Sequence, residues 1–162
     1  MAEVLGESDL LARLTDDRRA GRTVAFANGC FDLLHVGHVR YLEGAKAEAD
    51  RLVVAINDDG SVRSLKGAHR PILPAIARAE LVAALRAVDY VVMFGDSTVD
   101  RLLQLLEPDV HCKGTDYTVD TVPERETVRA YGGRIAIVGD PKDHSTRELL
   151  ASIGNPPNPA NR

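Results

Sequence analysis

The sequence predicts an α/β fold: one doubly wound domain with a five-stranded parallel sheet and helices on both faces. Three observations predict it. Short apolar runs recur at 24–27, 52–56, 90–94, 110–112 and 135–138, separated by stretches in which apolar residues fall at helical spacing. The runs are continuously apolar where a half-exposed strand would alternate, so each strand is covered on both faces, as in a parallel sheet between helix layers. A chain of 162 residues, 44% hydrophobic, is one ordinary domain, able to bury roughly 70% of its unfolded surface without a disulfide or metal staple.

The elements follow in order. Residues 7–20 form an amphipathic helix with Leu10, Leu11 and Leu14 inward and Gly21 as its left-handed terminator. Segment 1–21 is thus an N-terminal helix packing on a domain of residues 22–153. The first strand leads through Asn28-Gly29-Cys30-Phe31-Asp32-Leu33-Leu34-His35-Val36-Gly37-His38 into a helix over 37–49. The second exits through Asn57-Asp58-Asp59-Gly60 and reaches Lys66-Gly67; the third is 90–94; the fourth exits through Lys113-Gly114-Thr115-Asp116-Tyr117. The fifth exits through 139–144 into Ser145-Thr146-Arg147, which precede Glu148 and Leu149-Leu150 and read as the N-cap and first turn of a last helix. The proline-rich tail, 154–162, predicts disorder.

Composition excludes several classes. No apolar stretch approaches the ~18 residues of a membrane span, and residues 1–14 carry no signal-peptide pattern. A net charge of −4 argues against bulk binding to nucleic acid or an anionic membrane surface. A cytoplasmic protein without nucleic-acid or membrane partners is expected, and an anionic ligand must be drawn locally. Cys30 and Cys112 follow no metal or redox spacing and read as reduced, partly buried thiols. If their strands are neighbours, the two lie within reach of a bridge under oxidation.

The loop at 28–38 joins a buried strand to a helix through a glycine turn. His35 and His38, three apart, share one face of that helix's first turn, where unpaired backbone N–H groups and about half an elementary charge of helix dipole favour an anion. Gly29 and Gly37 let a phosphate approach the main chain, and each imidazole can donate an N–H to it. Zinc would need further ligands, and His69, His111 and His144 show no ligand spacing. In doubly wound sheets ligands gather beyond the strand carboxyl ends where strand order reverses, so the other exit loops converge on this one. Ser145 and Thr146 are then either a plain cap or a second grip on the same anionic ligand.

His35-Val36-Gly37-His38 is the HxGH signature of the nucleotidyltransferase superfamily, a Rossmann-like fold. The longer run resembles the heptose-1-phosphate adenylyltransferases. The similarity extends to Leu65-Lys66-Gly67 with His69-Arg70-Pro71, to Arg78, to Val88-Asp89-Tyr90-Val91-Val92, to Lys113-Gly114-Thr115-Asp116-Tyr117 and to Ser145-Thr146-Arg147-Glu148-Leu149, spanning about Gly21 to Ile153. Relatives using CTP carry an arginine-threonine pair and a glycine-isoleucine before the last serine-threonine. This chain has Lys142-Asp143-His144 there, which favours the adenylyl side and leaves Lys142 and Arg147 as candidate cations, Arg147 reading equally as helix surface.

The resemblance implies transfer of AMP from ATP to a sugar 1-phosphate, D-glycero-β-D-manno-heptose 1-phosphate, giving ADP-heptose and pyrophosphate for lipopolysaccharide. A sister transferase using CTP with glycerol 3-phosphate, one using ATP with a flavin or pantetheine phosphate, and an ATP-sensing module are the alternatives. His35 and His38 are implied to meet the α-phosphate and leaving group, Lys66 the acceptor phosphate or the triphosphate, and Arg78 the same charge at the acceptor phosphate. Lys113, Gly114, Asp116 and Tyr117 would line the nucleoside. Asp32 would hold a histidine tautomer or the loop, with Asn28 and Phe31 as the floor. Mg2+ bridging substrate phosphates is implied, with no dedicated protein cage, and related enzymes imply a homodimer, its edges the N-terminal helix and the third strand.

Overall fold

The computed structural model describes residues 1–141 and 145–154. In chain order, β1 (Glu3–Leu5) and α1 (Glu7–Arg19) precede β2 (Val24–Gly29), α2 (Val36–Lys46), β3 (Arg51–Asn57), α3 (Asp59–Lys66), α4 (Ala75–Ala83), β4 (Tyr90–Phe94), α5 (Asp100–Leu106), β5 (Val110–Lys113), α6 (Arg125–Ala130), β6 (Arg134–Ile137) and α7 (Thr146–Gly154). The strands form one parallel sheet in the order β1-β4-β3-β2-β5-β6.

All five expected strands are present, and the sixth, β1, corrects the count. Its three residues are too few to show a period, and its register is set by β4, where Glu3, Val4 and Leu5 pair with Tyr90, Val91 and Val92. The expected third strand is therefore not a sheet edge: β1 covers it. The helix after the histidine loop ends at Lys46, with Ala47 as its C-cap, three residues before the expected end. Gly21 takes the left-handed conformation, φ 76°, just past α1.

Continuous apolarity fills two cores. Ala25, Ala27, Val54 and Ile56 face α2 and α4, packing on Leu42, Ala45, Ala79 and Val82. Val24, Phe26, Val53 and Ala55 face the other way, onto Leu10 and Leu14 of α1, Leu102, Leu103 and Leu106 of α5, and Val128 of α6. Each fully buried leucine contributes about 1.5–3 kcal/mol, and this burial fixes α1 in place. Among the described residues, no helix is long and apolar enough to cross a membrane.

From β2 the chain steps to β3 and β4 on one side of the sheet, then returns to β5 and β6 on the other. Strand order reverses between β2 and β5, where Ala25, Phe26 and Ala27 pair with Val110, His111 and Cys112. A crevice must open above their carboxyl ends, because the helices that follow diverge to opposite faces.

Candidate active site

That crevice is a cavity of about 880 Å³ walled by the exit loops of β2, β3, β5 and β6, a volume suited to a small-molecule ligand. Every expected site residue except Arg78 lines it. His35, Gly37 and His38 stand at the N-terminus of α2, and Ser145, Thr146 and Arg147 at that of α7.

The two imidazoles stack, with ring centroids 3.8 Å apart and planes 27° from parallel. Phe31 lies against His38 with centroids 5.4 Å apart, and a Cβ on residue 29 would meet that phenyl ring at 3.2 Å, so Gly29 makes room for it. His35 is the N-cap of α2 and His38 its third residue, forming a reciprocal capping box. The backbone N–H of His35 donates to His38 Nδ1 at 3.3 Å, which leaves the ring's proton on Nε2. Burial, and then the neighbouring His35, lower the His38 pKa from 6.5 to about 4. At neutral pH His38 is an uncharged Nε2–H donor.

One prediction follows from that shift. Between about pH 4 and 6.5 the unfolded chain takes up a proton at His38 that the folded chain does not, so stability rises with pH across this window and is complete above it. His111, also lowered by burial, adds the same sign. Urea midpoints measured from pH 7 to pH 5 are expected to fall less steeply in His38→Gln than in wild type; parallel slopes would refute the assignment.

Around the histidines, the β2 exit loop is held by its own backbone and by Asp32. Phe31 and Leu33 have φ of 49° and 58°, left-handed conformations that cost non-glycine residues about 1–3 kcal/mol each. Between them, Asp32 accepts from Arg70 Nε at 2.7 Å, from Ile72 N at 2.9 Å and from Leu73 N at 3.1 Å. Burial alone would raise its pKa, yet these donors leave it lowered. Its carbonyl accepts from Thr146 Oγ1 at 2.9 Å, so the same residue pins the start of α7. Asp32 is therefore a hub for three segments; its carboxylate, 1% exposed, is not offered to a nucleotide, and of its two expected roles the loop is the one it serves.

At α7, Ser145 Oγ accepts from Glu148 N at 3.2 Å and its carbonyl from Leu149 N at 3.1 Å, the geometry of an N-cap. The third-residue amides are used, His38 N–H on the His35 carbonyl at 2.9 Å and Glu148 N–H on Ser145 Oγ, which leaves the amides of Val36 and Gly37 in α2 and of Thr146 and Arg147 in α7 without an acceptor in their own helix, and both helices start in the same cavity wall. Lys142, His144 and, from residue 155, the tail lie outside the described residues.

The β5 side is more self-contained. Lys113 Nζ donates to Asn28 Oδ1 at 3.1 Å and to Glu124 Oε1 at 3.3 Å, and sits 5.4 Å from the Tyr117 ring centroid. Burial raises the Glu124 pKa, but His111 and Lys113 outweigh it and leave it at about 2. Lys113 thus fastens β2 to the loop before α6. Gly114, Asp116 and Tyr117 line the wall above it.

Arg78 is the clear correction. It is fully buried, and its guanidinium donates to the carbonyls of Leu73 (3.0 Å), Cys30 (2.6 Å) and Asn57 (2.8 Å) and to Asp59 Oδ1 (2.8 Å). It ties the exits of β2 and β3 to α4 from beneath and is not an acceptor-phosphate ligand. Lys66, at the end of α3, has no ion-pair partner among the described residues and stands in the wall. Both cysteines are free; Cys30 Sγ lies 3.9 Å from Asn57 Oδ1, and burial raises the Cys112 thiol to about 12.

Sequence reasoning missed Tyr41, Arg40 and Arg70. Tyr41 donates to the Cys112 carbonyl at 2.8 Å, and its Cα lies 3.2 Å from where a Cβ would sit on Gly139, whose φ is 89°, so the β6 exit loop packs on α2. Arg40 pairs with Asp140 at 3.0 Å on the rim. Helix spacing marks Tyr41 and Arg40 only as helix residues; Arg70 stood inside a quoted motif without a role.

A parallel sheet whose reversal point opens between two helix N-termini, with stacked imidazoles on one of them, forms a site suited to a phosphate-bearing ligand. Residues 26–151 match the model of the cytidylyltransferase-like family, and the chain belongs to that family. It is 47% identical over 152 residues to the bifunctional protein HldE of Ectopseudomonas mendocina (strain ymp), covering 94% of this chain and 32% of that protein. With the HldE of Azotobacter vinelandii (strain DJ / ATCC BAA-1303) it shares 46% over 154 residues, 95% of this chain and 32% of that one. The chain thus spans about a third of the length of the curated relatives it matches. A solved lipopolysaccharide core biosynthesis protein from Thermoplasma volcanium GSS1 superposes with TM-score 0.66 at 26% identity, over 75% of this chain and 99% of that one. Pantothenate synthetase from Thermus thermophilus shares the fold, with TM-score 0.61 at 18% identity over 87% and 62% of the two chains.

Proposed function

We propose that the chain transfers AMP from ATP to a sugar 1-phosphate, D-glycero-β-D-manno-heptose 1-phosphate, giving ADP-heptose and pyrophosphate for lipopolysaccharide. The observation that carries the transfer chemistry is the stacked His35–His38 pair at the start of α2, in one cavity with the start of α7. The sugar is supported by the ordered motifs from 28–38 to 145–149, and by the likeness to a protein titled for lipopolysaccharide core biosynthesis.

In this reading a phosphate oxygen of the acceptor attacks the α-phosphorus in line, and the bond to the bridging oxygen breaks as pyrophosphate leaves. The protein's work is positioning and charge neutralisation. His38 donates its Nε2–H, and His35 stands beside it, where charge grows on the α-phosphate and the bridging oxygen. Amides at the start of α7 hold the outer phosphates. Arriving negative charge raises the His38 pKa, so the ring answers charge as it develops.

Among the described residues no group of three ligating side chains could hold a metal ion. Of the wall's three carboxylates, Asp32 is spent on Arg70 and Asp140 on Arg40, and Asp116 stands in the loop after β5. Mg2+ therefore fits as an ion carried by triphosphate oxygens, and when bound it would neutralise the leaving pyrophosphate. A homodimer is part of the same reading, with β1 and β6 as the sheet's outer strands.

Pyrophosphate release across ATP and CTP, each with heptose 1-phosphate, glycerol 3-phosphate, flavin mononucleotide and pantetheine phosphate, tests it. Turnover is expected with ATP and heptose 1-phosphate. Turnover confined to CTP, or ATP binding with no turnover on any acceptor, would refute it.

A further inference from the structure

With Arg78 sealed beneath the site, the acceptor phosphate needs another partner beside Lys66. Arg70 fits that place. Its Nε donates to Asp32 at 2.7 Å, and its two terminal nitrogens bond no described residue while the side chain lines the cavity. Asp32 is itself held by the N–H groups of Ile72 and Leu73, so the guanidinium plane is fixed along one edge and offered along the other. Two terminal N–H groups in a fixed fork match two oxygens of a phosphate, which an ammonium cannot do.

We propose that Arg70, oriented by Asp32, is the residue that grips the acceptor's phosphate. The inference rests on the transfer reaction proposed above and gives its second substrate a binding group. Arg70 and the start of α7 meet at Asp32, Arg70 on its carboxylate and Thr146 on its carbonyl. Arg70 and Lys66 follow β3, on one side of β2, whereas α7, the second grip on the triphosphate, follows β6 on the other side. A nucleophile held by Arg70 must reach the α-phosphorus from the side away from the departing pyrophosphate, as in-line displacement demands. Burial raises the Cys30 thiol at the exit of β2, with Lys66, Arg78 and Arg70 near enough to oppose that and Asp32 adding to it. Two of those three cations, Lys66 and Arg70, line the cavity.

The test titrates inorganic phosphate, read by 31P NMR, into protein saturated with α,β-methylene-ATP. Arg70→Gln is expected to weaken phosphate binding about tenfold or more, the size of a lost charged hydrogen-bonded pair, while affinity for the nucleotide analogue changes less than about threefold. Arg70→Lys, which keeps the charge and loses the fork, should fall between the two and retain nucleotide binding, so it decides the matter if the glutamine variant fails to fold. In turnover assays the acceptor KM should rise with the ATP KM unmoved. Equal phosphate affinity in wild type and both variants would overturn the proposal. So would a loss of nucleotide affinity as large as that for phosphate in Arg70→Lys, which would make Arg70 a triphosphate ligand, or no phosphate binding by wild type. The phosphate readout involves no sugar, so it stands whether or not heptose 1-phosphate proves to be the acceptor.

Discussion

His38→Ala is expected to lower kcat by about 10²–10³-fold, the usual consequence of removing one donor aimed at developing charge, while ATP affinity changes only a few-fold. The asymmetry follows from what the ring does before and during reaction. In the resting site His38 is neutral, with Nδ1 occupied by the His35 backbone N–H and its pKa near 4. A neutral donor gains little by meeting ground-state phosphate, which the helix amides already satisfy. It gains much as the bridging oxygen takes on charge, because that charge both strengthens the hydrogen bond and raises the ring's pKa. The alanine variant also removes the capping contact, at about 0.5–2 kcal/mol of helix stability, so activity is compared well below the melting temperature. A fall in kcat under threefold, or a KM for ATP that rises as much as kcat falls, would contradict this role.

Arg78→Met is expected to cost about 3–5 kcal/mol of folding stability, measured by urea denaturation. Methionine keeps much of the volume, so the loss is electrostatic. Three carbonyls, of Leu73, Cys30 and Asn57, lose their donor in a buried place, and Asp59 loses its cationic partner. Each orphaned buried acceptor costs about 1–3 kcal/mol, and breaking a buried pair by removing one member is itself a large penalty. The effect should reach the site, since the Cys30 carbonyl belongs to the loop carrying the histidines. If stability falls by less than about 1 kcal/mol while the acceptor KM rises, Arg78 is a ligand after all.

These two residues illustrate what the sequence made legible. The histidine loop was readable because strand, glycine turn and helix each have a local signature, and helical geometry alone puts positions 35 and 38 on one face. Convergence of the other loops followed from parallel topology. Arg78 was misread because an arginine at helical spacing looks the same whether its guanidinium meets solvent, phosphate or three main-chain carbonyls; only the fold of β2 and β3 over α4 decides. Arg70 was passed over for the converse reason, since its usefulness comes from Asp32, distant in sequence and brought beside it by the 67–74 loop. Three residues at 3–5 carry no period, and β1 exists because β4 offers an unpaired edge.

The proposed transfer depends above all on the stacked imidazoles standing at the α-phosphate. A crystal structure with α,β-methylene-ATP tests this most directly. Expected are α-phosphate oxygens within about 3.2 Å of His38 Nε2 and beside the His35 ring, with the outer phosphates on the first-turn amides of α7. A triphosphate bound away from both rings, or rings that separate and turn from it, would contradict the claim.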